Sequence, residues 1–254
     1  MEYKFNESDV FDIIKNDWLD FAEAVGTNKF ILGISGGIDS TTVAALACKI
    51  FGKENVYGLS MPCDGQKDID DVNKVFEHLG IKRFDFDIGD ANRSVINGVE
   101  NNGIDVSNQT KTNLPARLRM ASVYAFAQSL NAIVLNTCNL SEDILGWNTF
   151  GGDNIGSYAP LRHLTKTEVR KLAIWLNIPS ALVSKTPIDG LQSKSDEENF
   201  GFTYAEFDDY LRTGNASFKL ANKSKDMYLR NKFKLDIVDL PGPKFDFLNY
   251  VIEE

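Results

Sequence analysis

The chain is short of cysteine, histidine and positive charge. Its three cysteines, Cys48, Cys63 and Cys138, are odd in number and widely spaced. They form no disulfide framework, so a reducing, cytoplasmic location is expected. The two histidines, His78 and His163, fall outside any HxxH or HExxH spacing, which argues against a structural zinc or a metalloprotease. Lysine and arginine total 27 against 36 acidic residues, a formal net charge of −9. A surface of that sign does not wrap nucleic acid, whose phosphates need a basic face. No run approaches membrane-spanning length, and Met1-Glu2-Tyr3-Lys4 opens a polar stretch without a signal-like apolar region. Neither nucleic acid nor a membrane is therefore expected as a partner. Repeats, low-complexity tracts and a G-x-S-x-G elbow are missing as well.

What is present begins with Lys29-Phe30-Ile31-Leu32-Gly33-Ile34-Ser35-Gly36-Gly37-Ile38-Asp39-Ser40, running on into Thr41-Thr42-Val43-Ala44. A short apolar strand stops at a Ser-Gly-Gly turn and a helix starts at once. The glycine pair removes side chains where a ligand must lie against the backbone. The helix N-terminus offers unpaired N–H groups and a positive dipole end, an anion site. No lysine follows the glycines, so this is not the GxxxxGK[ST] loop, and the spacing is not GxGxxG. A carboxylate, Asp39, stands inside the loop instead. Beside phosphates, that arrangement calls for a divalent cation between them.

Around this loop the pattern alternates. Apolar residues at Val10, Ile13, Ile14, Trp18, Phe21, Ala22 and Val25 predict a first helix, with Asn6 and Ser8 as candidate caps. Strands are expected at Phe30–Ile34, Val56–Met61, Arg83–Ile88 and Ala132–Asn136. Helices are expected from the loop to Phe51, over Asp68–Leu79 and over Ala116–Leu130, with a polar loop at Asn101–Thr112. Strands alternating with helices predict an α/β fold, a doubly wound and mostly parallel sheet with ligands beyond the carboxyl ends of its strands. Four features fall at such ends: the Ser35 loop, Met61-Pro62-Cys63, Asp87-Ile88 and Thr137-Cys138-Asn139. Beyond Thr165, where Thr165-x-x-Glu168 forms a capping-box pattern, helices and loops take over. The expected division is a single domain over 1–254: an α/β core over about 25–185, then a flap (186–202) and C-terminal helices to 254. Two closing helices are expected near Tyr204–Leu211 and Asn215–Asn231.

Ser-Gly-Gly-x-Asp-Ser resembles the pyrophosphate loop of the N-type ATP pyrophosphatases, the adenine-nucleotide alpha-hydrolase-like fold. Three further blocks sharpen the resemblance: Asn113-Leu114-Pro115-Ala116-Arg117-Leu118-Arg119-Met120; Thr137-Cys138-Asn139-Leu140-Ser141-Glu142 with Gly146 to Asp153; and Lys185-Thr186-Pro187-Ile188-Asp189-Gly190-Leu191 with Ser195-Asp196-Glu197. In this order and at these separations, over residues 25 to 240, the chain resembles the ammonia-dependent NAD synthetases.

The resemblance implies an enzyme, a carbon–nitrogen ligase that uses ATP and Mg²⁺ to amidate nicotinic acid adenine dinucleotide (deamido-NAD) through an acyl adenylate, releasing AMP and pyrophosphate. It implies ATP binding at Gly33, Ile34, Ser35, Gly36, Gly37, Ile38, Asp39, Ser40, Met61, Thr137 and Lys166. It implies Mg²⁺ on Asp39 and Glu142, both catalytic, and dinucleotide binding at Arg117 and Lys234. Asp153 is the candidate that deprotonates ammonium. A homodimer follows from the same resemblance, the first helix and the helix at 116–130 supplying the interface. No glutaminase is expected, since residue two is Glu and no nitrilase-like part precedes the loop; ammonia comes free or from a separate protein. Phe150, Ser157 and Ile188 depart from the family pattern, standing where many relatives carry a lysine, an aspartate and a hydroxyl. They leave open a related amidation of a different carboxylate. Cys63 and Cys138, both after strands, carry a further alternative, thiolation of RNA.

Overall fold

The computed structural model describes residues 4–65, 69–185, 195–237 and 240–245. Helix α1 (Glu7–Val25) starts under the Asn6 side chain, which accepts from the N–H groups of Ser8 and Asp9, and ends at Gly26 in the left-handed conformation. Strand β1 (Phe30–Gly33) leads into α2 (Ile38–Phe51), a turn of 3₁₀ helix and β2 (Val56–Ser60). Then follow α3 (Ile69–Leu79), β3 (Lys82–Asp85), α4 (Gly89–Glu100), α5 (Asn108–Leu130) and β4 (Ile133–Val134). Helices complete the described chain: α6 (Leu140–Leu145), α7 (Lys166–Trp175), α8 (Ser180–Val183), α9 (Asp196–Phe200), α10 (Tyr204–Thr213) and α11 (Phe218–Ile237).

The strands form one parallel sheet in the order β3-β2-β1-β4, with Phe30 opposite both Val56 and Ile133. Beyond β4, a parallel bridge pairs Leu135 with Tyr158. The chain winds outward from β1 to β3, then returns through α4 and α5 to the other side of β1. The reversal makes a crevice above β1 and β4, the ordinary ligand position in such sheets.

Alternate residues of the strands face opposite layers. Phe30, Leu32 and Val56 pack with α1, α2, α3 and α7; Ile31, Leu59 and Val134 pack with Val123 and Ala127 of α5. Trp18 is fully buried at the centre of the first layer, among the rings of Phe30, Phe51 and Tyr158. A third core lies outside the sheet, where Leu140, Ile144 and Leu145 of α6 meet Phe200, Tyr204, Phe207, Leu211 and Leu220. It gathers the C-terminal helices into a layer joined to the rest of the molecule through both α6 and α7.

Three expectations change. The polar stretch 101–112 is a loop only to Ser107, whose hydroxyl caps a helix that runs unbroken through Pro115. Helix α4 has no counterpart in the expected pattern; its apolar residues Ala91, Val95, Ile96 and Val99 share one face but stay half-buried or exposed, and only Gly89 is buried. Of the expected flap, residues 186–194, with Ile188, lie outside the described residues. Residues 195–200 of that segment are a capped helix with Phe200 fully buried. As for the expected interface, the apolar face of α1 (Val10, Ile14, Trp18, Ala22) is spent on the core. Helix α5 buries only Pro115, Val123 and Ala127.

Candidate active site

The Ser35–Gly37 turn sits at the carboxyl end of β1. Gly36 has φ +77°, and an added Cβ would lie 3.0 Å from Asp71 Cβ and from the Val72 backbone of α3, so only glycine fits. The turn is fixed internally: Ser35 Oγ accepts from Gly37 N at 3.2 Å, and Ser40 Oγ accepts from Ser35 N at 3.4 Å. Gly37 caps α2 without a side chain, which leaves the first-turn N–H groups to an incoming anion. Met61 closes one side, its methyl 3.1 Å from where a Gly33 Cβ would be.

Asp39, in the first turn of α2, is drawn to two distant elements. Its Oδ2 accepts from Lys166 Nζ at 2.6 Å and its Oδ1 from Asn139 Nδ2 at 2.9 Å. Lys166 Nζ also donates to Glu142 Oε1 at 2.7 Å. Three of the residues singled out in the sequence thus meet at one nitrogen. Lys166 is 2 % exposed. Burial alone would lower its pKa, but the charges and hydrogen bonds of Asp39 and Glu142 outweigh that and hold the ammonium protonated. Burial pushes Glu142 up to about 8, with Lys166 pulling down and Asp39 pushing up.

Residues not foreseen in the sequence build the support. Asn139 caps α6 by accepting from Glu142 N at 3.1 Å while its amide holds Asp39. Asp208 of α10 accepts from Ser141 Oγ at 2.5 Å and Thr167 N at 2.7 Å, and Ser141 Oγ accepts from Lys166 N at 2.9 Å. Arg212 donates to both oxygens of Glu168, at 2.8 and 2.7 Å, and to the His163 carbonyl. Glu168 also closes the capping box with Thr165 that the sequence pattern predicts. The Tyr204 ring lies 5.3 Å beneath Lys166 Nζ. The signal for Asn139 was its place three residues before Glu142, a capping spacing.

The remaining sequence candidates lie around this centre. Thr137 is half-buried at the exit of β4. Arg117 is exposed and donates from Nε to the Phe150 carbonyl at 3.1 Å. Its neighbour Arg119 turns to the other side and donates to the Met61 carbonyl at 2.9 Å. Lys234 donates to the carbonyls of Gly146 and Asn148, at 2.8 and 2.7 Å, so two of its three protons brace that loop. Asp153 Oδ1 accepts from Thr149 N at 2.6 Å; burial raises the pKa of this carboxyl, and the backbone hydrogen bonds and the charges of Lys234 and Arg119 offset only part of that rise. Phe150 packs on Phe233 with ring centroids 5.9 Å apart. Ser157 is bound into the sheet edge through its N–H to Val134. The two cysteines do not form a matched reactive pair: Cys138 is buried with Sγ on the Asp153 carbonyl, and burial raises its pKa, whereas Cys63 is half-buried.

Two carboxylates and no third His, Cys, Asp or Glu gather here among the described residues. That set suits Mg²⁺, which takes one or two protein carboxylates and completes its shell with water and phosphate oxygens. The Lys166 ammonium already occupies the position between the two, evidence that the pair attracts a cation.

Known proteins resemble this chain over most of its length. An NH(3)-dependent NAD(+) synthetase of Pyrococcus horikoshii is 39% identical over 202 residues, 79% of this chain and 77% of that protein. That of Thermococcus sibiricus is 42% identical over 183 residues, 71% of this chain and 70% of that protein. Among solved structures, the NMN synthetase from Francisella tularensis superposes with a TM-score of 0.85 at 30% identity, covering 94% of this chain and 99% of that one. The NAD synthase family model matches residues 13–238, and the chain belongs to that family.

Proposed function

We propose that this NAD synthetase joins ammonia to the carboxylate of deamido-NAD, with ATP split to AMP and pyrophosphate. A carboxylate does not react with ammonia in neutral water, so it must first be activated. In the first step a carboxylate oxygen attacks the α-phosphorus of ATP, and the bond to the β-phosphate bridging oxygen breaks. In the second, the ammonia lone pair attacks the acyl carbon; the C–N bond forms, the bond to AMP breaks, and a proton leaves the nitrogen.

The observation that carries this reading is the Asp39–Lys166–Glu142 cluster directly below the Ser35–Gly37 turn. The turn and the α2 N-terminus receive the departing pyrophosphate, and Lys166 supplies a buried positive charge as that group gains negative charge. Gly33, Ile34, Ile38, Ser40, Met61 and Thr137 form the walls for ATP. Arg117, whose Nη groups have no partner among the described residues, meets the phosphates of the dinucleotide; Lys234 serves the same substrate through the loop it braces. Asp153 takes the proton from ammonium. Asp39 and Glu142 would hold Mg²⁺, which would neutralise phosphate charge. The homodimer implied by the family resemblance would use the largely uncovered face of α5.

A second reading is favoured by the packing of Phe150 on Phe233, an apolar contact where many relatives place a lysine, and by the 0.85 TM-score to an NMN synthetase. It is amidation of the mononucleotide carboxylate by the same chemistry. Mass spectrometry of products, with ATP, MgCl₂, ammonium and equal concentrations of both nucleotides, decides between them. NAD with equimolar AMP and pyrophosphate is expected. Preferential conversion of the mononucleotide establishes the second reading, and conversion of neither removes both.

A further inference from the structure

The Asp39–Lys166–Glu142 contacts close into a ring through a fourth residue. Asn139 stands between β4 and α6 and is fully buried. Its backbone is extended (φ −116°, ψ 167°), as an N-cap requires, and its carbonyl accepts from Asp143 N at 3.0 Å as α6 begins. The side chain has two arms. Oδ1 accepts from Glu142 N at 3.1 Å, and Nδ2 donates to Asp39 Oδ1 at 2.9 Å, across 100 positions of sequence. The ends of the amide cannot be exchanged, since a backbone N–H needs an acceptor and a carboxylate needs a donor. Around the ring, Asn139 leads to Glu142, Glu142 to Lys166, Lys166 to Asp39, and Asp39 back to Asn139.

The two links between the carboxylates differ in kind. Lys166 joins them through charge, so phosphate oxygens arriving at the Ser35–Gly37 turn compete for its ammonium. Asn139 joins them through a neutral amide at zero exposure, out of reach of a phosphate. It keeps the rotation of the Asp39 carboxylate in register with the first turn of α6, which carries Glu142, while the ammonium turns toward the nucleotide. We propose that Asn139 is a positioning residue for the step that releases pyrophosphate, acting by holding Asp39 and Glu142 to each other; the proposal rests on the amidation reading above. Other good N-caps lack this second function. Serine caps as well but has no second arm, and aspartate caps as well but turns an acceptor toward Asp39.

The test separates the two arms of the amide. ATP–pyrophosphate exchange is measured without ammonium, at varied pyrophosphate, with the nucleotide that product analysis selects. The parent is compared with Asn139→Ser and Asn139→Asp, both of which keep the cap. Asn139→Ser is expected to raise the apparent KM for pyrophosphate at least fivefold and to lower the maximal exchange rate at least tenfold. The KM for the nucleotide substrate should stay within twofold of the parent. A residue that serves only the fold would lower the rate through the amount of folded protein and leave both KM values alone. An unchanged pyrophosphate KM in folded Asn139→Ser therefore overturns the proposal. Should Asn139→Ser not fold, the same KM in Asn139→Asp decides, and failure of both to fold assigns Asn139 to the fold and overturns it as well. Absence of exchange in the parent with either nucleotide would instead remove the amidation reading.

Discussion

A single side chain balances the charge of the resting site. Lys166 bridges Asp39 and Glu142, whose side chains are only 18% and 16% exposed. Removing the ammonium leaves the Asp39 and Glu142 carboxyl groups facing each other without the cation that both hydrogen-bond and with little water between them. For Lys166→Met, the loss is about 3 kcal/mol of folding stability, the lower end of the range for breaking a buried pair. Because the vacated space suits a divalent cation, 10 mM MgCl₂ should recover part of that loss in the variant and almost none in the parent. Urea unfolding with and without MgCl₂ measures both; an equal magnesium response in the two proteins would refute the shared cation position. The sequence marked all three residues through family blocks. It did not mark their common meeting point, because Asp39 and Lys166 are 127 positions apart and nothing local encodes a contact of that span.

Among elements, α7 places Lys166, and its start is fixed from two sides. The Thr165–Glu168 capping box was readable as a four-residue pattern, since both partners lie within one turn. The Arg212–Glu168 pair was not, since it joins α10 to α7 through fully buried side chains. Arg212→Met leaves Glu168 charged at zero exposure, and about 3–5 kcal/mol of stability should be lost. A Tm scan checks this; a drop of under 2 °C would show that the capping box alone holds Glu168. Helices α4 and α5 mark the limit of pattern reading. Helix α4 carries only a short stripe, Ala91, Val95 and Val99, set among glycine, asparagine and charged residues, and Pro115 reads as a helix start when it is the eighth residue of one. The strand positions were legible because alternate residues of β1, β2 and β4 are consumed by opposite layers.

At the scale of the molecule, the site spans a seam. Asp39 belongs to the sheet layers, whereas Glu142 sits on a helix whose apolar face (Leu140, Ile144, Leu145) belongs to the C-terminal layer. Phe207 is fully buried at the centre of that layer. Phe207→Ala should cost about 3–5 kcal/mol by cavity formation. The loss should be local: hydrogen exchange is expected to speed up in α9–α11 and α6 while β1 and β2 keep their protection. Uniform acceleration through the sheet would show that the two parts unfold as one. The seam was invisible in the sequence because residues 196–211 read as polar and capped, with aromatics at Phe200, Tyr204 and Phe207 whose common face only the fold reveals.

The internal ammonium also bears on the life of the protein before any ligand arrives. Many sites built for a metal are held open by repulsion until the metal comes, and their folding then waits on supply. Here the counter-charge is part of the chain, donated by α7 to carboxylates on α2 and α6. Newly made chains can therefore reach and hold the native arrangement in a cell depleted of magnesium or nucleotide, and a chelator should silence such molecules without unfolding them.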